Sequence, residues 1–304
     1  MVRFGVAGYP INFTKNRSNN NKYKIFKWLR NYNLDSFEMQ MTYGPRTSKE
    51  KCKRYKELSQ KYGIEITVHA AYYIVLTSKE KEKVRQSIDT LKKTYELMDI
   101  LDSKKVVLHP GPLYNDHSNK PLNRFIENIK KFFVEIGDTE IELYAETAGK
   151  LGQLGSIDDI IDITKYTKCN PCIDFGHVHA RTLGGLKTDE DIDNLFKKLY
   201  SNELLSNKLH FHYSPIKFGE RGEITHKSLD DKKPIPNQLS IGFADSLDKN
   251  SDRKYYPRFE RIIDNIVQYN INASIISETY NSQEIGASRM KNYYQNNLNR
   301  GIND

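Results

Sequence analysis

Short apolar, β-branched runs alternate along the chain with longer stretches whose apolar positions recur every three or four residues. The runs fall at 2–7, 36–41, 65–69, 105–109, 140–146, 171–174, 208–213 and 273–278. Their length and composition predict strands. The stretches at 23–32, 48–62, 78–101, 122–136, 157–166, 188–206, 256–269 and 282–298 predict amphipathic helices. In the third of these, Val84, Ile88, Leu91, Tyr95 and Leu97–Met98 recur at helical spacing. Strands that each lead into a helix imply parallel crossovers. Eight such units suit closure into a single (β/α)8 TIM barrel spanning residues 1–304. An open doubly wound sheet is the alternative, but no Gly-x-Gly-x-x-Gly follows the first strand. The irregular segment 228–257, with Pro234 and Pro236, reads as an excursion loop rather than a domain boundary.

Composition narrows the class. No apolar run approaches the length of a membrane span. The first residues, Met1 to Pro10, are too weakly apolar for a secretory signal. Cys52, Cys169 and Cys172 are too few to staple a chain of this length, so a reducing, cytoplasmic setting is expected. The Cys169-Asn170-Pro171-Cys172 pair lacks a second pair for a zinc site and reads as packing, at the end of strand six away from any site. Lys+Arg outnumber Asp+Glu 47 to 39, a net charge of +8. That balance suits a polyanionic partner without demanding one.

In a barrel of this kind chemistry gathers at the C-terminal strand ends. Strand three ends in His69, strand four in His109-Pro110-Gly111 and strand five in Glu146. Strand six runs into Asp174-Phe175-Gly176-His177, strand seven carries His210 and His212, and strand eight ends in Glu278. The loop after strand seven adds Glu223 and His226. A lone histidine at a strand end is usually a hydrogen-bonded core residue. Repetition on strand after strand points instead to metal ligation. Converging carboxylates repel unless cations lie between them, and this donor set exceeds the needs of one tetrahedral ion. Two or three metals are expected, an arrangement suited to phosphoester hydrolysis.

These residues resemble the endonuclease IV family, the zinc-dependent apurinic/apyrimidinic endonucleases of the xylose-isomerase-like barrels, in an archaeal-type branch. The motifs are His69-Ala70-Ala71-Tyr72-Tyr73-Ile74, His109-Pro110-Gly111, Glu146-Thr147-Ala148-Gly149-Lys150, Cys172-Ile173-Asp174-Phe175-Gly176-His177 and His226-Lys227-Ser228-Leu229. The resemblance implies three zinc ions, with manganese an alternative in one. His69 and His109 would hold the first, and Glu146 would bridge it to a second completed by Asp174, His212 and Glu278. His177, Glu223 and His226 would hold the third. On strand seven either His210 or His212 could serve, since both face one side; His212 is favoured because it precedes the turn out of the strand. The family often has Asp two residues before the loop histidine. Here Ile224 stands there, and Glu223, one further back, takes the role.

The resemblance further implies a monomeric DNA-repair hydrolase acting on double-stranded DNA at abasic sites. It would cut 5′ to the lesion, leaving a 3′-hydroxyl and a 5′-deoxyribose phosphate. Arg46, Tyr72, Arg181 and Lys217 would contact DNA, beside Tyr43, Tyr73 and Arg221. Two rivals stand. A sugar isomerase or epimerase on the same barrel needs fewer histidines and one or two metals. A non-catalytic DNA-binding barrel needs no complete ligand set.

Overall fold

The computed structural model describes residues 2–16, 21–116, 118–206, 208–229 and 255–300. Most of the expected excursion loop at 228–257 lies outside the described residues. Eight parallel strands close into a barrel: β1 (Arg3–Ala7), β2 (Ser36–Gln40), β3 (Glu65–His69), β4 (Lys105–Leu108), β5 (Glu142–Glu146), β6 (Asn170–Asp174), β7 (Leu209–Tyr213) and β8 (Ala273–Ser277). Their order around the barrel is their order in the chain, and β1 pairs with both β2 and β8 to close it. The (β/α)8 expectation is borne out, with every strand within two residues of its expected ends.

The helices are α1 (Ile11–Lys15), α2 (Ile25–Asn31), α3 (Lys49–Tyr62), α4 (Lys81–Leu101), α5 (Lys120–Ile136), α6 (Ile157–Tyr166), α7 (Phe175–Arg181), α8 (Asp189–Ser201), α9 (Phe259–Gln268) and α10 (Gln283–Arg300). Their starts are written in local chemistry. Ser156 and Asp159 form a reciprocal capping box at α6, as do Thr188 and Asp191 at α8. The expected helix 188–206 stops at Ser201, because Glu203 turns to a left-handed φ of 60° before a short 3₁₀ turn. The short α1 and α7 were not expected. Nor was the hairpin Ile216–Gly219/Gly222–His226, which occupies what the sequence suggests is a plain loop.

Alternation explains how the barrel presents its chemistry. In β7, Leu209, Phe211 and Tyr213 join the large apolar sleeve between strands and helices. His210 and His212 therefore face the barrel axis. The sleeve also takes Phe37 and Met39 of β2, Ile66 and Val68 of β3, and Val106 and Leu108 of β4. A separate small apolar cluster, Val107, Tyr144 and Cys172, lies apart from that sleeve. Low on the axis, Lys105 pairs with Glu65 at 3.1 Å and donates to Ser274 at 2.8 Å. Cys172 thus departs from its expected remoteness. It faces inward, and its sulfur belongs to a group with Glu146 and His212 whose ligand atoms lie within 4.8 Å of one another. Burial pushes its thiol pKa up.

Candidate metal centre

Glu146, the last residue of β5, is buried at the middle of the cluster. Its two oxygens face different partners. Oε2 lies 3.1 Å from His69 Nε2 and 3.5 Å from His109 Nε2. Oε1 lies 3.1 Å from His212 Nδ1 and 3.3 Å from His177 Nδ1. A carboxylate split in this way is built to bridge.

The Asp174–His177 spacing has a local cause. Asp174 is the N-cap of α7, and its Oδ1 accepts from the His177 backbone N–H at 2.7 Å. The cap holds both side chains on the cluster side, with Asp174 Oδ2 3.7 Å from His177 Nδ1. That Oδ2 is buried and accepts no hydrogen bond.

Glu223 and His226 stand three apart on one strand, which by simple alternation would put them on opposite faces. A β-bulge resolves this. Lys217 pairs with Thr225 but Phe218 pairs with Glu223, so Ile224 is the extra residue. The bulge turns both ligand candidates inward. His226 Nε2 lies 3.7 Å from Glu223 Oε1, and His177 Nε2 lies 3.6 Å from Glu223 Oε2. Glu278, just past β8, joins this group to the rest: its Oε1 lies 3.7 Å from His212 Nδ1 and its Oε2 3.5 Å from His226 Nδ1. The hairpin is seated by small residues. Gly222 has a φ of +86°, and a side chain at Gly149 would come within 2.7 Å of the Glu223 Cβ.

Most of the histidines are oriented by the main chain. His69 Nδ1–H donates to the Ala70 carbonyl at 2.9 Å, His177 Nδ1–H to Thr147 at 3.0 Å and His226 Nδ1–H to Glu278 at 3.2 Å. Each such bond leaves the opposite nitrogen free to bind a metal. His212 differs: its Nε2 lies 3.2 Å from Glu38 Oε2, which also lies 2.9 Å from His210 Nε2.

The charges of the cluster act on one another. Burial works to raise the Glu146 pKa, but the charges of His109 and His212 and bonds from His177 and His212 outweigh it and hold the carboxyl well below its usual range. Burial also works against a charged His69, yet its bond to Glu146 lifts it to about 9. His109 is driven down to about 4, first by burial. Burial raises Glu278, against the pull of His212 and His226.

The donor set fits metal ions. Neighbouring ligand atoms 3.1–3.7 Å apart are close to the ~3.3 Å edge of a tetrahedron with bonds of about 2.0–2.1 Å. The unbonded Asp174 Oδ2 supplies an unused acceptor. All nine residues expected as ligands converge, and His212 rather than His210 reaches Glu146 and Glu278. Beside Glu223, His226 and Glu278 opens a cleft of about 600 Å³, also lined by Tyr9, Gln40 and Tyr280.

Of the expected DNA contacts, Arg46 is exposed after β2 and Lys217 is half-buried on the hairpin. Tyr72 is exposed between Tyr43 and Tyr73, edge-to-face with each at ring separations of 5.9 and 5.8 Å. Arg181 has a different task from the one expected of it. Its Nη1 donates to the carbonyls of Lys150 and Gln153, both at 2.9 Å, tying down the segment after β5. His179 is a buried anchor that accepts from Leu186 N–H and packs on Phe218. Sequence reasoning missed Glu38. The available signal was an acid set mid-strand between Phe37 and Met39.

Residues 26–235 match the family described as xylose isomerase-like TIM barrel. An uncharacterized protein of Methanocaldococcus jannaschii is 32% identical over 256 residues, covering 81% of this chain and 86% of its own. A probable endonuclease 4 of Staphylococcus carnosus is 26% identical over 250 residues, covering 73% and 82%. Among solved structures, endonuclease IV from Thermus thermophilus superposes with a TM-score of 0.65 at 15% identity, covering 97% of this chain and 99% of its own. A D-tagatose 3-epimerase-like protein gives 0.63 at 16% identity, covering 99% of both chains.

Proposed function

From the premise that the chain belongs to the xylose isomerase-like TIM barrel family, we propose that it is a zinc-dependent endonuclease that cuts DNA 5′ to abasic sites. The observation that carries this reading is the third ligand group, His177, Glu223 and His226, contiguous with the groups around Glu146. A sugar epimerase on the same barrel has no use for it.

His69, His109 and Glu146 would hold one ion. Glu146, Asp174, His212 and Glu278 would hold a second, and His177, Glu223 and His226 a third. Bound there, zinc supplies activation of water and neutralisation of phosphate oxygens. The chain's own residues do the rest. Glu146 would offer one carboxylate oxygen to the His69 and His109 side and the other to the His212 side. The main-chain acceptors of His69, His177 and His226 keep each ring turned so that one nitrogen serves the centre. The cleft walled by Tyr9 and Tyr280 receives the extruded lesion, whose extrusion is cheapest where no base pairs or stacks. Tyr43, Tyr72 and Tyr73 offer ring faces to the flanking bases, and Arg46 and Lys217 meet phosphates. Water adds to phosphorus, the bond to the preceding 3′ oxygen breaks, and that oxygen leaves as a hydroxyl.

The test joins a metal count on purified protein with incision of an end-labelled abasic duplex. About three zinc ions per chain and a 3′-hydroxyl product support the reading. At most one ion, together with epimerisation of a ketose, overturns it.

A further inference from the structure

We propose that Glu38 is a positioning residue that fixes the ring of His212 for its metal, with His210 bracing Glu38 in turn; this rests on the metal-dependent reading above. Glu38 sits at the centre of β2, fully buried inside the barrel. A buried carboxylate persists only where hydrogen bonds replace its water. Its Oε2 accepts from His210 Nε2–H at 2.9 Å, His212 Nε2–H at 3.2 Å and Thr67 Oγ1–H at 3.2 Å. Its Oε1 accepts from Gln40 Nε2–H at 3.2 Å.

The two nitrogens of His212 therefore face acids on opposite sides of the ring. Nε2 faces Glu38, and Nδ1 lies 3.1 Å from Glu146 Oε1 and 3.7 Å from Glu278 Oε1. With its hydrogen committed to Glu38, the ring offers the Nδ1 lone pair to the centre. His69, His177 and His226 take their orientation from neutral carbonyls. Glu38 gives His212 an anionic acceptor instead, which makes the ring a stronger donor to a metal. His210, two residues earlier on the same face, bonds the same Glu38 oxygen, while its buried Nδ1 has no hydrogen-bond partner. Among the described residues, Glu38 is thus the hydrogen-bond partner that His210 holds.

The test measures zinc, not turnover. Full-length wild type, Glu38→Gln and Glu38→Ala are stripped, reloaded with zinc and titrated against a chromophoric chelator, and the metal-free proteins are melted in parallel. The expected result is that one ion of three weakens by about 10–100-fold in Glu38→Ala, less in Glu38→Gln, while the other two keep their affinities. If Glu38→Ala does not fold, the isosteric Glu38→Gln decides. Three ions at wild-type affinity in Glu38→Gln overturn the proposal. So does an equal weakening of all three that tracks lost thermal stability, which marks a purely structural role. A fourth ion in wild type also overturns it, by making Glu38, His210 and His212 ligands. Wild type without zinc sinks the parent reading instead. Wild type with three ions and an indifferent Glu38→Gln sinks this inference alone.

Discussion

Glu146 is the residue on which the centre turns, because each of its oxygens serves different histidines. Glu146→Gln keeps the shape but replaces one anionic oxygen with an amide that cannot bridge two cations. Incision of an abasic duplex should fall by more than about 100-fold with circular dichroism unchanged; normal activity would remove Glu146 from the centre. The strand-seven histidines should separate as their contacts do. His212→Ala should lose one of the three zinc ions, whereas His210→Ala, whose native ring touches Glu38 rather than Glu146, should lose less. Metal analysis of the two purified variants decides, and a greater loss in His210→Ala would reverse the assignment. Protons compete with metal at this site. His69 is held at about 9, so below that pH its metal-free ring carries a second proton, and His177 and His212 are raised as well. Zinc must expel them. Its apparent affinity should therefore rise with pH up to about 9, by about tenfold per unit for each proton displaced. Chelator competition between pH 6 and pH 9 reads this directly, and a flat profile would contradict it.

At the scale of elements, the third ligand group depends on how closely the hairpin lies against the segment after β5. Gly149 is the contact point: its carbonyl accepts from Glu223 N–H, and an added Cβ would meet the Glu223 Cβ at 2.7 Å and its Oε2 at 2.8 Å. Gly149→Ala should displace Glu223 and lower the zinc count from three to two, at a stability cost of about 1–3 kcal/mol. Three retained ions would show that the hairpin yields without losing its ligand. The same elements show what sequence could and could not convey. Strands and long helices were legible because alternation and helical spacing were sustained, as in Leu209 to Tyr213. The seven-residue α7 is too short to show a period, yet its Asp174 cap explains the Asp-x-x-His spacing. The bulge at Ile224 was illegible because it breaks alternation; the displaced acid was its one trace. Glu38 escaped because a search confined to strand ends passes over mid-strand positions. Arg181 read as a rim cation because a basic residue near a site looks alike whether it faces phosphate or main-chain carbonyls.

Across the whole molecule, a net charge of +8 surrounds a centre crowded with acids, so phosphate contacts must come from the rim. Binding to duplex DNA should weaken steeply with salt, and Arg46→Ala or Lys217→Ala should each flatten the log–log slope by about one unit without removing zinc. Salt titrations on abasic and intact duplexes test this. Unchanged slopes in both variants would move the groove elsewhere, and a flat wild-type slope would favour a neutral sugar substrate. The closure of β1 onto β8 has a further consequence, one that concerns time. The nine candidate ligands are scattered from His69 to Glu278, and none of the three groups is drawn from one stretch of chain. Contacts so distant in sequence form late, after the loops between them have been closed at an entropic cost. A half-made barrel lacking β8 also lacks Glu278 and leaves His212 and His226 without their shared acid. The growing chain thus passes through its most vulnerable stage with the ligand set still incomplete. The candidate centre is completed only at the end of folding, when the last strand seals the ring.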